Sequence, residues 1–387
     1  MCRYFGILDE NHHRAFNDAA VTVELYNILC GKFGAEYKEV FEPRSLVCKI
    51  KNKIIRDMKK GNISIFVPHL GCPCQCSFCN QKTITGQANQ PTPQDVDKAV
   101  KTALKSKGFD YEIAFFGGSF TAIDREYMIS LLEVADRYIT CENGFCGIRI
   151  STRPDCIDEE ILMLLKKYHV TAIELGAQSM NDRVLEMNMR GHTSEDVRRS
   201  AAMIKLYGFE LGLQMMVGLY GSSPDDELYT MNEIVRCAPA TARIYPVAVL
   251  ERTKLAELYK EGKYKLYPFD ECVKLCAEIY STFVKNNIRV IRMGLHAEDG
   301  VEQNAVAGFY HPAFGEIVRT EIIRKIIEEN LTECENLCEA PPRLTSSLSG
   351  YKRSNRIYFA DRNVKFLTNK ELPENVISVN GRIFKLY

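Results

Sequence analysis

The sequence has no surplus of charge of either sign: 50 Lys and Arg balance 50 Asp and Glu across 387 residues. A global field drawing the chain to nucleic acid or anionic lipid is therefore excluded, and any basic surface must be local. No window approaches the roughly 18 to 20 uninterrupted apolar residues of a membrane span. Met1-Cys2-Arg3-Tyr4 does not open a charged-then-apolar leader. The expectation is a cytoplasmic protein without a membrane partner. Internal repeats and low-complexity tracts are also lacking, as are a G-x-x-x-x-G-K-[ST] phosphate loop, an H-E-x-x-H zinc helix and a G-x-S-x-G elbow. With 46% apolar and 26% charged residues, disorder is excluded as well.

Cysteine, by contrast, is plentiful. Fifteen is an odd number in a chain without a leader, so thiolate ligation of metal is a better reading than a disulfide framework. At about 150 residues per domain the length suggests two or three units, or one large α/β domain with additions. β-Branched and aromatic runs predict strands at 63–67, 113–116, 147–152, 172–177, 211–217, 242–249 and 288–293. Helix starts are predicted at Thr92-Pro93, at Asp124, at Ser194-Glu195-Asp196 and at Pro268, which opens the longest helix. Such alternation predicts either an open doubly wound sheet or a full or partial (β/α) barrel, with reactive residues in the loops that follow the strands.

The sharpest motif is Gly71-Cys72-Pro73-Cys74-Gln75-Cys76-Ser77-Phe78-Cys79-Asn80, just after the first predicted strand. Cys72, Cys76 and Cys79 form C-x3-C-x2-C. Three thiolates on one short loop can hold three irons of a [4Fe-4S] cubane and leave the fourth iron open. The competing reading is zinc, with Cys76-x2-Cys79 as half a ribbon and Cys334-x3-Cys338 as the other half. Against it, Cys334 and Cys338 fall i, i+4 in a predicted helix, and the aromatic at Phe78 goes unexplained.

With Phe78 before its last cysteine, the triad resembles the radical S-adenosylmethionine (SAM) superfamily. Further stretches are similar to the branch of the elongator catalytic subunit, a tRNA-modifying enzyme, and its short bacterial relatives. They are 68–73 with 79–81, Phe115-Phe116-Gly117-Gly118-Ser119-Phe120-Thr121, Ser151-Thr152-Arg153-Pro154-Asp155, 174–179, Arg190-Gly191-His192-Thr193 and 311–315. The resemblance implies an α/β fold, a full or partial (β/α) barrel with short N- and C-terminal additions. It also implies a [4Fe-4S] cluster and SAM as cofactors, SAM chelating the open iron. Reductive cleavage would give a 5′-deoxyadenosyl radical that abstracts a substrate hydrogen, with flavodoxin or ferredoxin as electron donor and tRNA as partner.

Under this resemblance Gly117 and Gly118 approach the SAM ammonium through their carbonyls; a tight turn needing positive φ is the other reading, and the two are compatible. Ser151 and Arg153 end the third strand; Arg153 reaches the SAM carboxylate or pairs with Asp155 or Asp158. Gln178 meets the ribose hydroxyls or is a satisfied buried amide. Val247 is the adenine contact, whereas Met215, Met216 and Val217 read as core. Arg190, His192 and His296 are candidates to bind a substrate phosphate or carboxylate, and His69 to tune the cluster from outside its ligand set.

Four regions follow: an N-terminal extension (1–60) with a basic stretch at 49–60, the barrel core (61–315), an acidic helical segment (316–342) and a basic segment (343–387). The last counts nine basic residues against three acidic, a net charge of plus six, interleaved with Tyr351, Tyr358, Phe359 and Phe366. Lys352 and Arg353 are its candidates for RNA contact, against a merely solvated basic face. No stretch matches the acetyltransferase domain of the elongator subunit, so acetyl-group chemistry is not carried over. The alternatives are a radical SAM enzyme acting on a small molecule or peptide, and a non-catalytic zinc-binding adaptor.

Overall fold

Seven strands form the main sheet of the computed structural model, which describes residues 59–68, 76–80, 89–104, 109–140, 145–295 and 299–386. In chain order the elements begin β1 (Lys59–Val67), α1 (Pro93–Ala103), β2 (Phe109–Gly117), α2 (Arg125–Asp136), β3 (Phe145–Thr152), α3 (Glu159–Lys167) and β4 (Val170–Gln178). Then come α4 (Asp182–Met187), α5 (Ser194–Leu206), β5 (Glu210–Val217), α6 (Pro224–Cys237), β6 (Thr241–Pro246), β7 (Ala248–Leu250), α7 (Lys254–Lys260), α8 (Phe269–Lys285) and β8 (Arg289–Met293). The sheet runs β1-β2-β3-β4-β5-β6-β8, in chain order, with β1 and β8 at its edges. β4, β5, β6 and β8 pair in parallel. This is the partial form of the predicted (β/α) barrel.

The chain divides into two units. One contains Met1–Ile65, Pro91–Phe115 and Ile129–Arg149; the other contains Phe66–Gln90, Phe116–Met128 and Ile150–Tyr387. In the first, Val96 and Val100 of α1 are fully buried, the Tyr138 hydroxyl donates to Asp97 and Arg149 pairs with Glu112 at 2.7 Å. In the second lie the carboxyl ends of all seven strands, where open α/β sheets and barrels place their chemistry.

Local sequence explains the element ends. Thr92, Thr193 and Ser223 each form a capping box, with Asp95, Asp196 and Asp226 respectively, satisfying amides that the first turn leaves open. Pro93 and Pro224 occupy first-turn positions where no amide is missed. β4 is buried throughout except at the exposed Thr171 and the half-buried Gln178, as expected for a strand covered on both faces.

The structure corrects three expectations. The strand predicted at 242–249 is two strands, β6 and β7, in different sheets. Val247 is the switch point: its amide donates to Val217 O (2.9 Å) while its carbonyl accepts from Phe309 N (2.7 Å). β7 then pairs antiparallel with β9 (Ala305–Gly308), which follows α9 (Asp299–Asn304). The segment 316–342 is not helical throughout: α10 (Phe314–Glu328) ends well before β10 (Asn336–Ala340). Cys338 is therefore a fully buried strand residue and Cys334 an exposed loop residue, not neighbours on a helix.

Third, the basic segment 343–387 has a core of its own. α11 (Thr345–Ser349), α12 (Ser354–Tyr358), β11 (Val364–Thr368), β12 (Val376–Val379) and β13 (Arg382–Lys385) follow β10, giving a four-stranded sheet of order β11-β10-β12-β13. Ile377, Val379, Leu348 and Phe359 are buried within it. The fully buried Asn355 donates to the Thr320 and Leu348 carbonyls, joining α12 to α10 and α11. Phe359 is thus a core ring, unavailable as a stacking platform. Arg343, Arg362 and Lys365 are paired with Glu374, Glu328 and Glu335.

Candidate active site

The described part of the cysteine loop is a turn that closes through Cys79 N to Cys76 O, 3.1 Å. Its anchor is Ser77, which is fully buried. Ser77 N donates to Asn188 O (3.1 Å), its hydroxyl donates to Asn188 Oδ1 (2.7 Å), and its carbonyl accepts from Leu255 N (2.7 Å). Asn188 caps α4 and is itself fixed, since Nδ2 donates to Val184 O and Tyr220 O. Three separate stretches of chain therefore set the place of one short turn, and a buried amide satisfied on both sides holds position well.

Two residues past Asn188, Arg190 is buried, 7% exposed. Its Nη1 lies 3.1 Å from Cys76 Sγ and its Nη2 donates to Gly176 O at 2.8 Å. Reading Arg190 as a substrate-phosphate ligand is thus not how the structure uses its terminal nitrogens. Gln178 ends β4 in the left-handed region, φ 65°. His192 approaches Ala177 O through Nε2, 3.2 Å. Burial, reinforced by the Arg190 charge, pushes this imidazole down to about 4.

Three buried polar atoms around the end of β4 have no hydrogen-bond partner among the described residues: Gln178 Oε1, Arg190 Nε and His192 Nδ1. Native interiors rarely leave such atoms unpaired unless a ligand or water completes them. Gln178 Oε1 can only accept and Arg190 Nε only donate, while His192 Nδ1 does either according to its tautomer, and polar groups of a small molecule could meet each of them. A satisfied buried amide, the other reading of Gln178, does not describe its Oε1.

Gly117 has φ 110°, and a Cβ there would sit 2.9 Å from Val67 O; Gly118 N donates to that same oxygen at 2.8 Å. Gly117 thus has the positive φ that the turn reading asks for, with which the carbonyl reading is compatible. Arg153 forks onto Asp155, with Nε and Nη2 at 2.9 and 2.8 Å, the structural pair rather than a free fork. Asp158 instead caps α3. Ser151 Oγ accepts from Gln214, whose amide also reaches Glu174; Glu174 in turn receives Arg243 through two nitrogens.

Phe78 packs on an apolar cluster that contains Val247, the predicted adenine contact, with Leu219, Val249 and Leu255. Met215 and Val217 are fully buried, as core. Lys352 and Arg353 are exposed and both have positive φ, 52° and 61°. Cys72, Cys74, His69 and His296 lie outside the described residues.

Sequence reasoning missed Asn188 and the Glu174–Arg243 pair. For Asn188 no signal existed, as a cap asparagine looks alike whether or not it grips another loop. The pair did leave one: a charged residue inside each of two apolar strands, opposite in sign.

A model described as the radical SAM superfamily matches residues 66–234, and one described as the radical SAM C-terminal domain matches 239–324. An uncharacterized protein of Methanocaldococcus jannaschii is 26% identical over 270 residues, covering 68% of this chain and 80% of its own. The tRNA uridine(34) acetyltransferase of the same organism is 31% identical over 193 residues, 45% of this chain but only 36% of that protein. Among solved structures, archaeal Methanocaldococcus infernus Elp3 with an N-terminal deletion superposes with a TM-score of 0.57 at 21% identity, covering 74% of this chain and 67% of that one. That likeness establishes the fold, the partial barrel of seven strands. The family rests on the two adjoining domain matches, which together give the chain a radical SAM domain followed by a radical SAM C-terminal domain over residues 66–324.

Proposed function

We propose that the chain is a radical SAM enzyme that holds a [4Fe-4S] cluster on Cys72, Cys76 and Cys79 and acts on tRNA. One observation supports the cofactor part: Cys76 of the pinned turn meets the buried Arg190, whose Nε has no hydrogen-bond partner among the described residues. When bound, the cluster supplies the electron that cleaves SAM and releases a hydrogen-abstracting 5′-deoxyadenosyl radical.

The protein's own residues do the rest. Ser77 and Asn188 hold the turn. Gln178 Oε1 accepts from a sugar hydroxyl, and His192, neutral at physiological pH, offers Nδ1 without adding charge. Phe78 and Val247 supply an apolar wall for a flat base, and Gly117 lets β1 and β2 approach closely enough to leave backbone at the site's edge. The tRNA part is supported by the names of relatives such as the tRNA uridine(34) acetyltransferase, and by the exposed Lys352 and Arg353. The chain spans 36% of that relative, so that protein's whole activity is not transferred.

Two measurements test this reading. Anaerobically reconstituted protein is expected to contain iron and sulfide in equal amounts, and a Cys76→Ala variant far less; zinc without iron would overturn the enzyme in favour of an adaptor. tRNA is expected to bind with a steep salt dependence. Replacing Lys352 and Arg353 with Gln should reduce that slope by about one for each phosphate no longer neutralised. No affinity in the parent protein would remove tRNA as substrate.

A further inference from the structure

Arg190 meets Cys76 Sγ through Nη1 at 3.1 Å and Gly176 O through Nη2 at 2.8 Å. It is nine-tenths buried. Burying a cation without a carboxylate partner is costly, and among the described residues no ion pair to Arg190 is formed. The neighbourhood is short of negative charge, and Cys76 is the position where ligation would bring it.

Resting on the functional reading above, we propose that Arg190 is a positioning residue for the cluster: it fixes the Cys76 sulfur and raises the cluster's reduction potential. A charge-assisted donor to a cluster thiolate favours the more negative, reduced state, because the added electron increases the charge that the donor faces. Its geometry is fixed from three sides. Nη2 is held by Gly176 O, the backbone amide by Leu185 O at 3.0 Å, and the turn it addresses by Asn188 through Ser77. Asn188 and Arg190 thus divide the work within three residues, one gripping the backbone of the turn and the other its sulfur.

The two roles separate in experiment. Midpoint potentials of the reconstituted cluster would be read by EPR-monitored redox titration for the parent, Arg190→Gln, Arg190→Lys and Asn188→Ala. Arg190→Gln is expected to disfavour reduction about tenfold, a negative shift of about 59 mV for one electron. Arg190→Lys keeps the charge and is expected to fall between Gln and parent. Asn188→Ala is expected to bind less iron while the cluster it does hold keeps the parent's potential. Equal potentials in parent and Arg190→Gln, or the same shift in Asn188→Ala, would overturn the proposal. So would failure of both Arg190 variants to load when their apo folds match the parent by circular dichroism, since Arg190 would then serve retention alone. A parent protein that binds no cluster is a different result, and refutes the functional reading instead.

Discussion

His192 packs against the end of β4 as a neutral imidazole, one nitrogen on the Ala177 carbonyl and the other without a partner among the described residues. Its native pKa, about 4, lies below the usual value of 6.5. Between these limits the unfolded chain takes up a proton that the native state refuses, so stability falls as pH drops from about 6.5 toward 4 and changes no further below. The loss reaches about 3 kcal/mol at full depth. Urea unfolding of the parent at pH 7 and pH 4.5 should show most of that difference, and His192→Gln should remove it; parallel losses in both proteins would contradict the assignment. At this scale the cysteines and Phe78 are legible in the sequence because their spacing is itself the chemistry. Arg190 is legible as a site residue but not in its role, because a sequence cannot say which of several anions or sulfurs a buried guanidinium will meet. Asn188 is not legible at all.

Among the elements, the passage from β5 into α6 depends on a buried carboxylate. Glu227 accepts from Gly218 N, from the Ser222 hydroxyl at 2.9 Å and from the Tyr267 hydroxyl at 2.6 Å to both oxygens. Burial raises its pKa, and these donors oppose the rise. A carboxyl group raised in the native state binds its proton more tightly there than in the unfolded chain. Stability is therefore lost as pH climbs from the ordinary carboxylate range through the native value. Removing the Tyr267 hydroxyl widens that window. Tyr267→Phe should destabilise by about 1–3 kcal/mol, more at pH 8 than at pH 5, as measured by chemical unfolding; an equal cost at both pH values would mean Glu227 is not the partner that matters. Six of the seven predicted strands correspond to single strands of the sheet, since apolar runs and turn residues bound them. The seventh breaks at Val247, where a change of sheet rather than of hydrophobicity divides β6 from β7. β10 is hidden because Asn336–Ala340 alternates buried and half-buried residues, over a span too short to separate from a helix by periodicity.

For the molecule as a whole, the candidate site collects the carboxyl ends of strands far apart in sequence, from Cys76 to Val247, within one of the two units. Composition is informative in what it excludes, and among the described residues no helix is long and apolar enough to cross a membrane. The basic segment reads as a tail because charge hides a core: its arginines stack on its own rings, Arg362 over Tyr358 at 4.7 Å and Arg356 over Phe366 at 5.3 Å. Lys352 does the same over Tyr351 at 5.4 Å, so any partner would meet these cations already lying on rings of the segment. Whether the site performs radical chemistry is the claim on which the rest depends. The direct measurement is 5′-deoxyadenosine by liquid chromatography with mass detection, after anaerobic reconstitution, reduction with dithionite and addition of SAM and bulk tRNA. The parent protein should form it and Cys76→Ala should form none; a fully loaded, reducible cluster that yields none, with or without tRNA, would contradict the account.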